Sequence, residues 1–465
     1  MKKITLASIV LLFISLNLVA QNLQKRNVLF IATDDLNMAI GCYGNDFVKT
    51  PNIDRLAKRG VKFSNAHCQI PWCSPSRSSL LTGLRPDSVK IFDLDTHFRQ
   101  TVPNVVTLPQ HFKNNGYHSA RIGKIFHYNN PSGIGTNGLD DSLSWNERVN
   151  PIGQGKLEED KIINLTPNKS LGSAMAFWPS TGTDAEQTDG KVATEAIRIM
   201  NERKSEPFFL AVGFFSPHVP LVAPKKYFDL YDANKIVLPD VNPADAVKYP
   251  KLAFNPTHTP YLWQDRPDLK KTIIHAYYAS ISFVDAQVGR LLDELDRLGL
   301  AENTVVVFWS DHGYQLSEHG QWMKQSLWEE STKSPLIVVD RKLPAQDQGC
   351  SRTVELLDIY PTLTDLCNLS KPNHLMGASL KPLMINPLQK WDRAAYTQIL
   401  RIQSNVMGRS VRTEKWRYTE WGNGEKGIEL YNLTKDPKEQ NNLADDAGLK
   451  KVRTDMKSLL LKHKG

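Results

Sequence analysis

A cysteine at the predicted start of a helix is the first residue of this sequence that could do chemistry. Cys73 precedes a segment in which Ser74 is a plausible N-cap, Pro75 suits the first helical position and Gly83 lies near the end. The sequence therefore predicts a helix with Cys73 at its N-terminus, a position that stabilises negative charge on a thiolate or a bound oxyanion. A structural cysteine can also occupy such a position, so this segment alone leaves its role open.

Two apolar runs each end in a pair of potential metal ligands. The first pair is Asp34 and Asp35, and the second is Asp311 and His312. Either pair alone could simply cap a helix. Two such pairs beside a helix N-terminus instead indicate a hard divalent cation that is held mainly by oxygen atoms.

Four single basic residues are further candidates for an active site: Lys124, His127, His218 and Lys324. Without context, a lysine of this kind is usually a solvated surface charge. His218 has prolines on both sides, which restrict its backbone. The residues themselves therefore give these four side chains no certain role.

Apolar runs alternate with helical patterns along most of the chain. The runs suit strands buried on both faces of a sheet, and they lie at residues 28–32, 208–215, 304–309 and 336–339. The helical patterns lie at residues 53–59, 108–115, 190–203 and 275–298. This alternation predicts an α/β fold with a large, mostly parallel sheet sandwiched by helices. In such a fold, functional groups collect beyond the carboxyl ends of the strands.

The chain also contains two long insertions, and its sequence pattern changes near the C-terminus. Residues 128–188 and 224–267 are rich in Pro, Gly, Asn and Asp, and we expect them to be surface insertions that wall a pocket. After about residue 387, short strand patterns precede a charged helix, which predicts a smaller C-terminal subdomain with an antiparallel sheet and a helix. We therefore predict a catalytic domain over residues 21–387 and a subdomain over residues 388–465.

The first 20 residues have the pattern of a secretory signal peptide. A short positive start precedes an apolar run that polar residues interrupt and that is too short to span a membrane. We expect cleavage near Ala20, an exported protein that is periplasmic or secreted, and no stable membrane anchor. In an exported protein, five cysteines leave at least one thiol unpaired or modified.

The composition narrows the class of binding partner. The 465 residues include 57 basic and 49 acidic side chains, which gives a net charge of +8. This modest surplus favours encounters with polyanions. Because no zinc-finger spacing or basic helix is present, we expect no nucleic-acid partner. A sulfated or carboxylated polysaccharide suits the same charge balance.

The residues above occur together in one known family. The segment Cys73-Ser74-Pro75-Ser76-Arg77 has the C-x-P-S-R pattern by which formylglycine-generating enzymes recognise the cysteine that they oxidise to an aldehyde. The chain resembles the type I sulfatases of the alkaline-phosphatase-like superfamily, and most closely their iduronate-2-sulfatase-like branch. The resemblance covers residues 27–85, 108–127, 207–220, 277–324 and 429–443.

This resemblance implies a role for each candidate residue. A calcium ion would be held by Asp34, Asp35, Asp311, His312 and the modified Cys73. Many sulfatases carry Asn where this chain has His312, but the iduronate-2-sulfatase branch has His. The implied catalytic residues are Cys73, converted to formylglycine by a maturation enzyme, with Arg77, Lys124, His127, His218 and Lys324.

The family's chemistry also implies how these residues share the work. The hydrated aldehyde at position 73 would attack sulfur, while Lys124, Lys324 and calcium neutralise the sulfate oxygens. His218 would donate a proton to the departing sugar oxygen, and His127 would help to release the sulfate from the enzyme. From the same branch we expect His97 and Arg99 to contact a sugar or its carboxylate. Trp322 could stack on a sugar face or belong to the core.

The resulting hypothesis is an exported carbohydrate sulfatase, that is, a sulfuric ester hydrolase. The substrate would be a sulfated polysaccharide or its oligosaccharides, either a glycosaminoglycan with 2-O-sulfated uronates or an algal polysaccharide such as ulvan. One alternative is a phosphate or phosphonate ester hydrolase on the same fold. Another is a non-catalytic carbohydrate-binding relative. A thiol-dependent hydrolase that uses Cys73 would leave both carboxylate pairs unexplained.

Overall fold

The computed structural model describes residues 25–255 and 259–462. The predicted signal peptide, residues 1–20, lies outside the described residues. None of the helices in the described ranges is long and apolar enough to cross a membrane.

An eight-stranded sheet forms the centre of the molecule. Its strands are β1 (Asn27–Thr33), β2 (Val61–His67), β3 (His118–Gly123), β4 (Glu147–Val149), β7 (Phe208–Gly213), β9 (Thr304–Ser310), β12 (Lys333–Val339) and β13 (Gln348–Glu355). They lie in the order β13-β2-β12-β9-β1-β7-β3-β4, and β12 alone runs antiparallel to its neighbours. The prediction of a large, mostly parallel sheet is confirmed.

Helices cover this sheet on both faces. The helices of the described chain are α1 (Pro51–Ala57), α2 (Cys73–Thr82), α3 (Pro86–Val89), α4 (Leu108–Asn114), α5 (Gln154–Leu157), α6 (Thr188–Glu202), α7 (Lys225–Phe228), α8 (Pro267–Arg297), α9 (Glu329–Thr332), α10 (Ile359–Leu366), α11 (Lys381–Ile385) and α12 (Lys450–Leu461). The longest, α8, starts eight residues before the predicted helix start at residue 275. Pro267, the last residue of the predicted insertion, occupies the first position of this helix.

The packing of β1 explains its continuous apolar run. Leu29 and Ile31 belong to one hydrophobic cluster, whereas Val28, Phe30 and Ala32 belong to another. Successive side chains of a strand point to opposite faces. Both faces of β1 are therefore covered by core, and every residue of the strand is buried.

Smaller sheets flank the central one. The strands β14 (Ala395–Arg401), β15 (Val406–Arg412), β16 (Trp416–Trp421) and β17 (Ile428–Asn432) form an antiparallel sheet in chain order. Met456 and Leu460 of α12 join a hydrophobic cluster with Tyr418 and Leu430 of this sheet. The predicted antiparallel sheet with a helix is confirmed. The remaining short strands are β5 (Ile163–Asn164), β6 (Ala176–Ser180), β8 (Leu221–Pro224), β10 (Gln315–Leu316) and β11 (Trp322–Met323).

Candidate active site

Adjacent strands bring the two pairs of potential metal ligands together. β1 and β9 run parallel, with Thr33 opposite Ser310, so the residues that follow each strand meet at one edge of the sheet. The backbone N–H of Asp35 donates to Asp311 Oδ1 at 3.2 Å. Asp35 has a φ of 67°, a region that a residue with a side chain rarely occupies. Such backbone strain often occurs at functional sites.

Helix α2 presents Cys73 to this edge. The helix begins at Cys73 with Trp72 as its extended N-cap, so the prediction of Ser74 as the cap was wrong by two residues. The Trp72 carbonyl already accepts the first helical hydrogen bond, from the N–H of Ser76. Pro75 is tolerated in this first turn because N–H groups there have no partner within the helix. Cys73 is 1% exposed, and its Sγ lies 3.1 Å from Lys324 Nζ and 3.4 Å from His312 Nε2.

Arg77 stands one turn further along α2 and binds the acidic edge from below. Its guanidinium donates to Asp311 Oδ2 at 2.9 Å and to Asp34 Oδ1 at 3.2 Å. Its other N–H groups donate to the carbonyls of Thr33, Lys124 and Ile125. The side chain is fully buried, so this network fixes the two carboxylates relative to the helix.

Two lysines provide positive charge inside the same site. Lys124 follows β3 and its Nζ lies 2.5 Å from Asp34 Oδ2, while the Lys324 ammonium pairs with Asp35 Oδ1. Burial alone would raise the pKa of the Asp34 carboxyl, but Lys124 and the neighbouring cations hold that pKa well below its usual range. Burial dominates at Asp35 and raises the pKa of its carboxyl despite Lys324.

The donor set fits a divalent cation. Ligand atoms of Asp35, Cys73 and His312 lie within 4.8 Å of one another, and so do those of Asp34, Cys73 and Asp311. Asp35 Oδ2 is buried without a hydrogen-bond partner, which is costly for a carboxylate oxygen. A hard cation would satisfy that oxygen and compensate the three buried carboxylates. These residues therefore fit the metal that the family implies.

Two further histidines, His127 and His218, line the same cavity as Cys73. His218 Nε2 is 3.7 Å from Asp35 Oδ2, and its Nδ1 lies 2.5 Å from the carbonyl of Val219, which favours a proton on Nδ1 in the neutral ring. Both ring nitrogens of His127 lack a partner although the residue is only 5% exposed. Burial, assisted by Lys124, lowers the pKa of His127 to about 3, so its ring is neutral.

A cavity of about 820 Å³ opens above these groups. Its floor includes Cys73, His127, His218 and Lys324. The rest of the wall is formed by Trp72, Leu94, Asn129, Asn130, Pro131, Ser132, Lys156, Glu159, Lys169, Ser170, Leu171, Gly172, Ser173, Met323 and Gln325. Most of these residues belong to the insertion at 128–188, as expected of a pocket wall, whereas residues described within 224–267 contribute none.

The expected sugar contacts lie elsewhere. His97 caps a short 3-10 helix through Nδ1, and its Nε2 is 3.2 Å from the carbonyl of Asp140. Arg99 forms a two-point ion pair with Asp141 at 2.8 and 3.0 Å. Neither residue lines the cavity described above. The structure thus gives both side chains a role within their own loop, because their polar groups already have partners inside the chain.

Trp322 belongs to the core and not to the wall of this cavity. It is 2% exposed and packs edge-on against Trp263 with 5.8 Å between ring centroids. It borders a separate space of about 110 Å³. Of the two readings of this tryptophan, the core position is the one observed.

Sequence reasoning also missed several residues of the site. Asn130 lies 3.4 Å from His218 Nδ1, and the lysines at 156 and 169 line the cavity. These residues lie in a segment without periodicity, so no sequence pattern pointed to them. All five cysteines are free, and no disulfide joins them.

Comparison with known proteins shows which enzyme family has this fold and this site. The sulfatase family model matches residues 26–369, and a model of the C-terminal region of N-sulphoglucosamine sulphohydrolase matches residues 317–465. The chain belongs to the sulfatase family and is a type I sulfatase of the iduronate-2-sulfatase-like branch. It is therefore a sulfuric ester hydrolase.

Individual relatives cover nearly the whole chain. A sulfatase of Formosa agariphila is 36% identical, over 96% of this chain and 88% of that protein. The iduronate 2-sulfatase of Homo sapiens is 32% identical, over 90% of this chain and 91% of that protein. Among solved structures, a phosphonate monoester hydrolase of Agrobacterium radiobacter superposes with a TM-score of 0.79 at 23% identity, covering 94% and 95% of the two chains. At that identity, the last similarity concerns the fold alone.

Proposed function

We propose that this protein is an exported carbohydrate sulfatase that removes sulfate esters from a sulfated polysaccharide or its oligosaccharides. The observation that carries this proposal is the position of Cys73. It lies inside a formylglycine recognition motif, at the floor of a large cavity, within 3.5 Å of a lysine and a histidine. A maturation enzyme would convert this cysteine to formylglycine, whose hydrate supplies the nucleophile.

Calcium is the metal that we propose for the buried carboxylates. Asp34, Asp35, Asp311, His312 and residue 73 would hold it, since oxygen-rich sites favour a hard cation. When bound, calcium would supply Lewis-acid stabilisation for the sulfate oxygens. Arg77 would keep Asp34 and Asp311 in place through its two ion pairs.

The chain's own residues then divide the remaining work. Lys124 and Lys324 bring two buried positive charges to the place where the sulfate oxygens would lie, which stabilises negative charge that develops there. His218 directs Nε2 toward the site and, when the ring carries a proton on both nitrogens, would deliver the Nε2 proton to the departing sugar oxygen. His127 has two buried ring nitrogens without partners and would accept the proton that must leave when sulfate is released.

The cavity supports a carbohydrate substrate. Its volume of about 820 Å³ is larger than a sulfate group needs, and Lys156 and Lys169 on its wall suit an anionic sugar chain. The relationship to an iduronate 2-sulfatase favours 2-O-sulfated uronates of glycosaminoglycans. Sulfated algal polysaccharides such as ulvan are the second substrate class that we propose.

Phosphonate ester hydrolysis is the alternative activity, and the fold similarity to a phosphonate monoester hydrolase gives it a specific basis. Phosphate esters carry more negative charge than sulfate esters and are commonly hydrolysed with a second metal. In the described residues, the two groups of potential metal ligands share Cys73, which suits one metal. This favours sulfate esters over phosphate esters, and the match to the sulfatase family model favours them over phosphonate esters, which carry the same single charge.

The test uses protein coexpressed with a formylglycine-generating enzyme, with the modification of residue 73 verified by mass spectrometry. Release of inorganic sulfate is measured on glycosaminoglycan disaccharides, ulvan oligosaccharides and an aryl sulfate, with a phosphonate monoester beside them. Sulfate release from a sugar substrate supports the proposal and identifies the substrate class. Turnover of the phosphonate alone would overturn it. Sequencing the N-terminus of protein recovered from periplasm and medium tests export and cleavage near Ala20.

A further inference from the structure

The loop that carries Lys324 has an unusual backbone. The residues on either side of it, Met323 and Gln325, have φ values of 66° and 72°. Residues with side chains enter this left-handed region at an energetic cost, and such a conformation persists only when the surroundings impose it. The loop thereby places the Lys324 ammonium 3.1 Å from Cys73 Sγ and in contact with Asp35.

Besides the pairing of Met323 with Gln315 between β11 and β10, three hydrogen bonds hold the backbone of Lys324 and Gln325. The N–H of Gln325 donates to the carbonyl of Pro71 at 3.1 Å, and Asn255 Nδ2 donates to the carbonyl of Lys324 at 3.3 Å. The third comes from the C-terminal sheet, where Arg401 Nη1 donates to the carbonyl of Gln325 at 2.6 Å. The Arg401 bond is the shortest of the three.

Arg401 joins the catalytic loop to a second segment. Its Nε donates to the carbonyl of Leu252 at 2.9 Å, and its Nη2 donates to that of Ala253 at 3.0 Å. Its guanidinium also lies over the ring of Trp421, 4.9 Å from the ring centroid. Because Leu252 and Ala253 come shortly before Asn255, the same side chain also supports the segment that binds the Lys324 carbonyl.

Within the described part of the chain, Arg401 is a buried cation without a carboxylate partner, an arrangement that costs free energy. The residue is 3% exposed, and among residues 25–255 and 259–462 no carboxylate lies within 4.0 Å of its guanidinium. Burial lowers the pKa of this guanidinium, since the charge is removed from water, and carbonyl dipoles, the Trp421 ring and the more distant Glu429 compensate it only in part. Several neighbouring buried arginines differ from it: Arg77, Arg412 and Arg417 all bind carboxylates.

We propose that Arg401 is a positioning residue for Lys324: it holds the Lys324 loop in its left-handed conformation and so fixes the ammonium beside residue 73. This inference rests on the role of Lys324 in the proposed function, where its charge stabilises the sulfate group. Arg401 itself touches neither Cys73 nor any carboxylate of the site. The C-terminal sheet thereby contributes to catalysis through one side chain.

A double-mutant cycle tests this role. Arg401→Gln removes the cation, and its shorter side chain with a single amide NH2 cannot reach all three carbonyls. We expect kcat for sulfate release to fall about 10- to 100-fold, because small displacements of a catalytic group have effects of this size. Lys324→Ala is expected to cost about 10²- to 10³-fold. Because both changes act through one ammonium, the double variant should be within about twofold of Lys324→Ala alone.

The matched control is Arg412→Gln. Arg412 is also a buried arginine of the C-terminal sheet, but it binds Glu329, Thr353 and Asn65 and makes no contact with the Lys324 loop. The factor by which Arg412→Gln changes kcat should multiply with the factor for Lys324→Ala in the double variant, because the two residues act independently. If the effects of Arg401→Gln and Lys324→Ala also multiply, or if Arg401→Gln has wild-type kcat, the proposal is overturned.

A second readout does not depend on turnover. Isothermal titration calorimetry with inorganic sulfate should give a higher Kd for Arg401→Gln and for Lys324→Ala, and the wild-type Kd for Arg412→Gln. If the protein binds sulfate in this pattern but hydrolyses no sulfate ester, the proposed function fails while the positioning role stands. Should Arg401→Gln not fold, Arg401→Lys retains the charge but not the three-carbonyl geometry. It must then reproduce the sulfate-binding defect, and a wild-type Kd in that variant would overturn the proposal.

Discussion

Arg77 is expected to be a structural residue of the site as well as part of the maturation motif. Arg77→Met removes a fully buried cation that binds Asp34, Asp311 and three backbone carbonyls. Lys124 would remain beside Asp34, and His312 would remain 3.6 Å from Asp311. Removing one partner of a buried ion pair costs about 3–5 kcal/mol. Since a domain is stable by about 5–15 kcal/mol, about a fifth or more of the free energy of unfolding would be lost.

The experiment must separate this loss from failed maturation, because Arg77 also belongs to the recognition motif. All variants are therefore made in a Cys73→Ser protein, which cannot form formylglycine, and are kept in chelator. Urea unfolding is followed by tryptophan fluorescence, to which the ten tryptophans contribute, including Trp309 at 5.6 Å from the Arg77 guanidinium. Pro75→Ala is the control, since it also breaks the motif but should change stability by only about 1 kcal/mol. Equal urea midpoints for Arg77→Met and its parent would refute the reasoning.

Four further predictions concern catalytic activity and the role of Arg99. Cys73→Ser should remain folded by circular dichroism but release no sulfate, and full activity in that variant would exclude the aldehyde mechanism. His218→Ala should lose about 10²- to 10⁴-fold in kcat on a sugar sulfate and much less on an aryl sulfate with an acidic phenol, because a good leaving group needs no proton; equal losses would contradict the role of general acid. Exhaustive chelation should abolish turnover and calcium should restore it, whereas activity retained without metal would contradict the metal assignment. Arg99→Ala should lower the melting temperature and leave KM for a sugar substrate unchanged, because the Arg99 guanidinium binds Asp141. A raised KM would instead indicate that Arg99 contacts the substrate.

Several features of the fold could be read from local sequence because local physics determines them. The apolar run at residues 28–32 is a strand buried on both faces, and such burial requires a continuous run. The order of strands and helices then gives a mostly parallel sheet. Helix ends were less accurate: α2 begins at Cys73 itself, because an extended Trp72 provides the cap without using a side chain.

For the site as well, the residues could be predicted from the sequence, whereas their contacts could not. Local sequence was enough to identify the chemical groups of the site, namely the C-x-P-S-R segment at Cys73, the two pairs of potential metal ligands, and Lys124, His127, His218 and Lys324. These groups are readable because their residues are adjacent or follow strands whose ends must meet. The partners of each group depend on the three-dimensional fold. It directed Arg99 to Asp141, buried Trp322 in the core and brought Arg401 to the loop of Lys324, because these contacts join residues far apart in the chain.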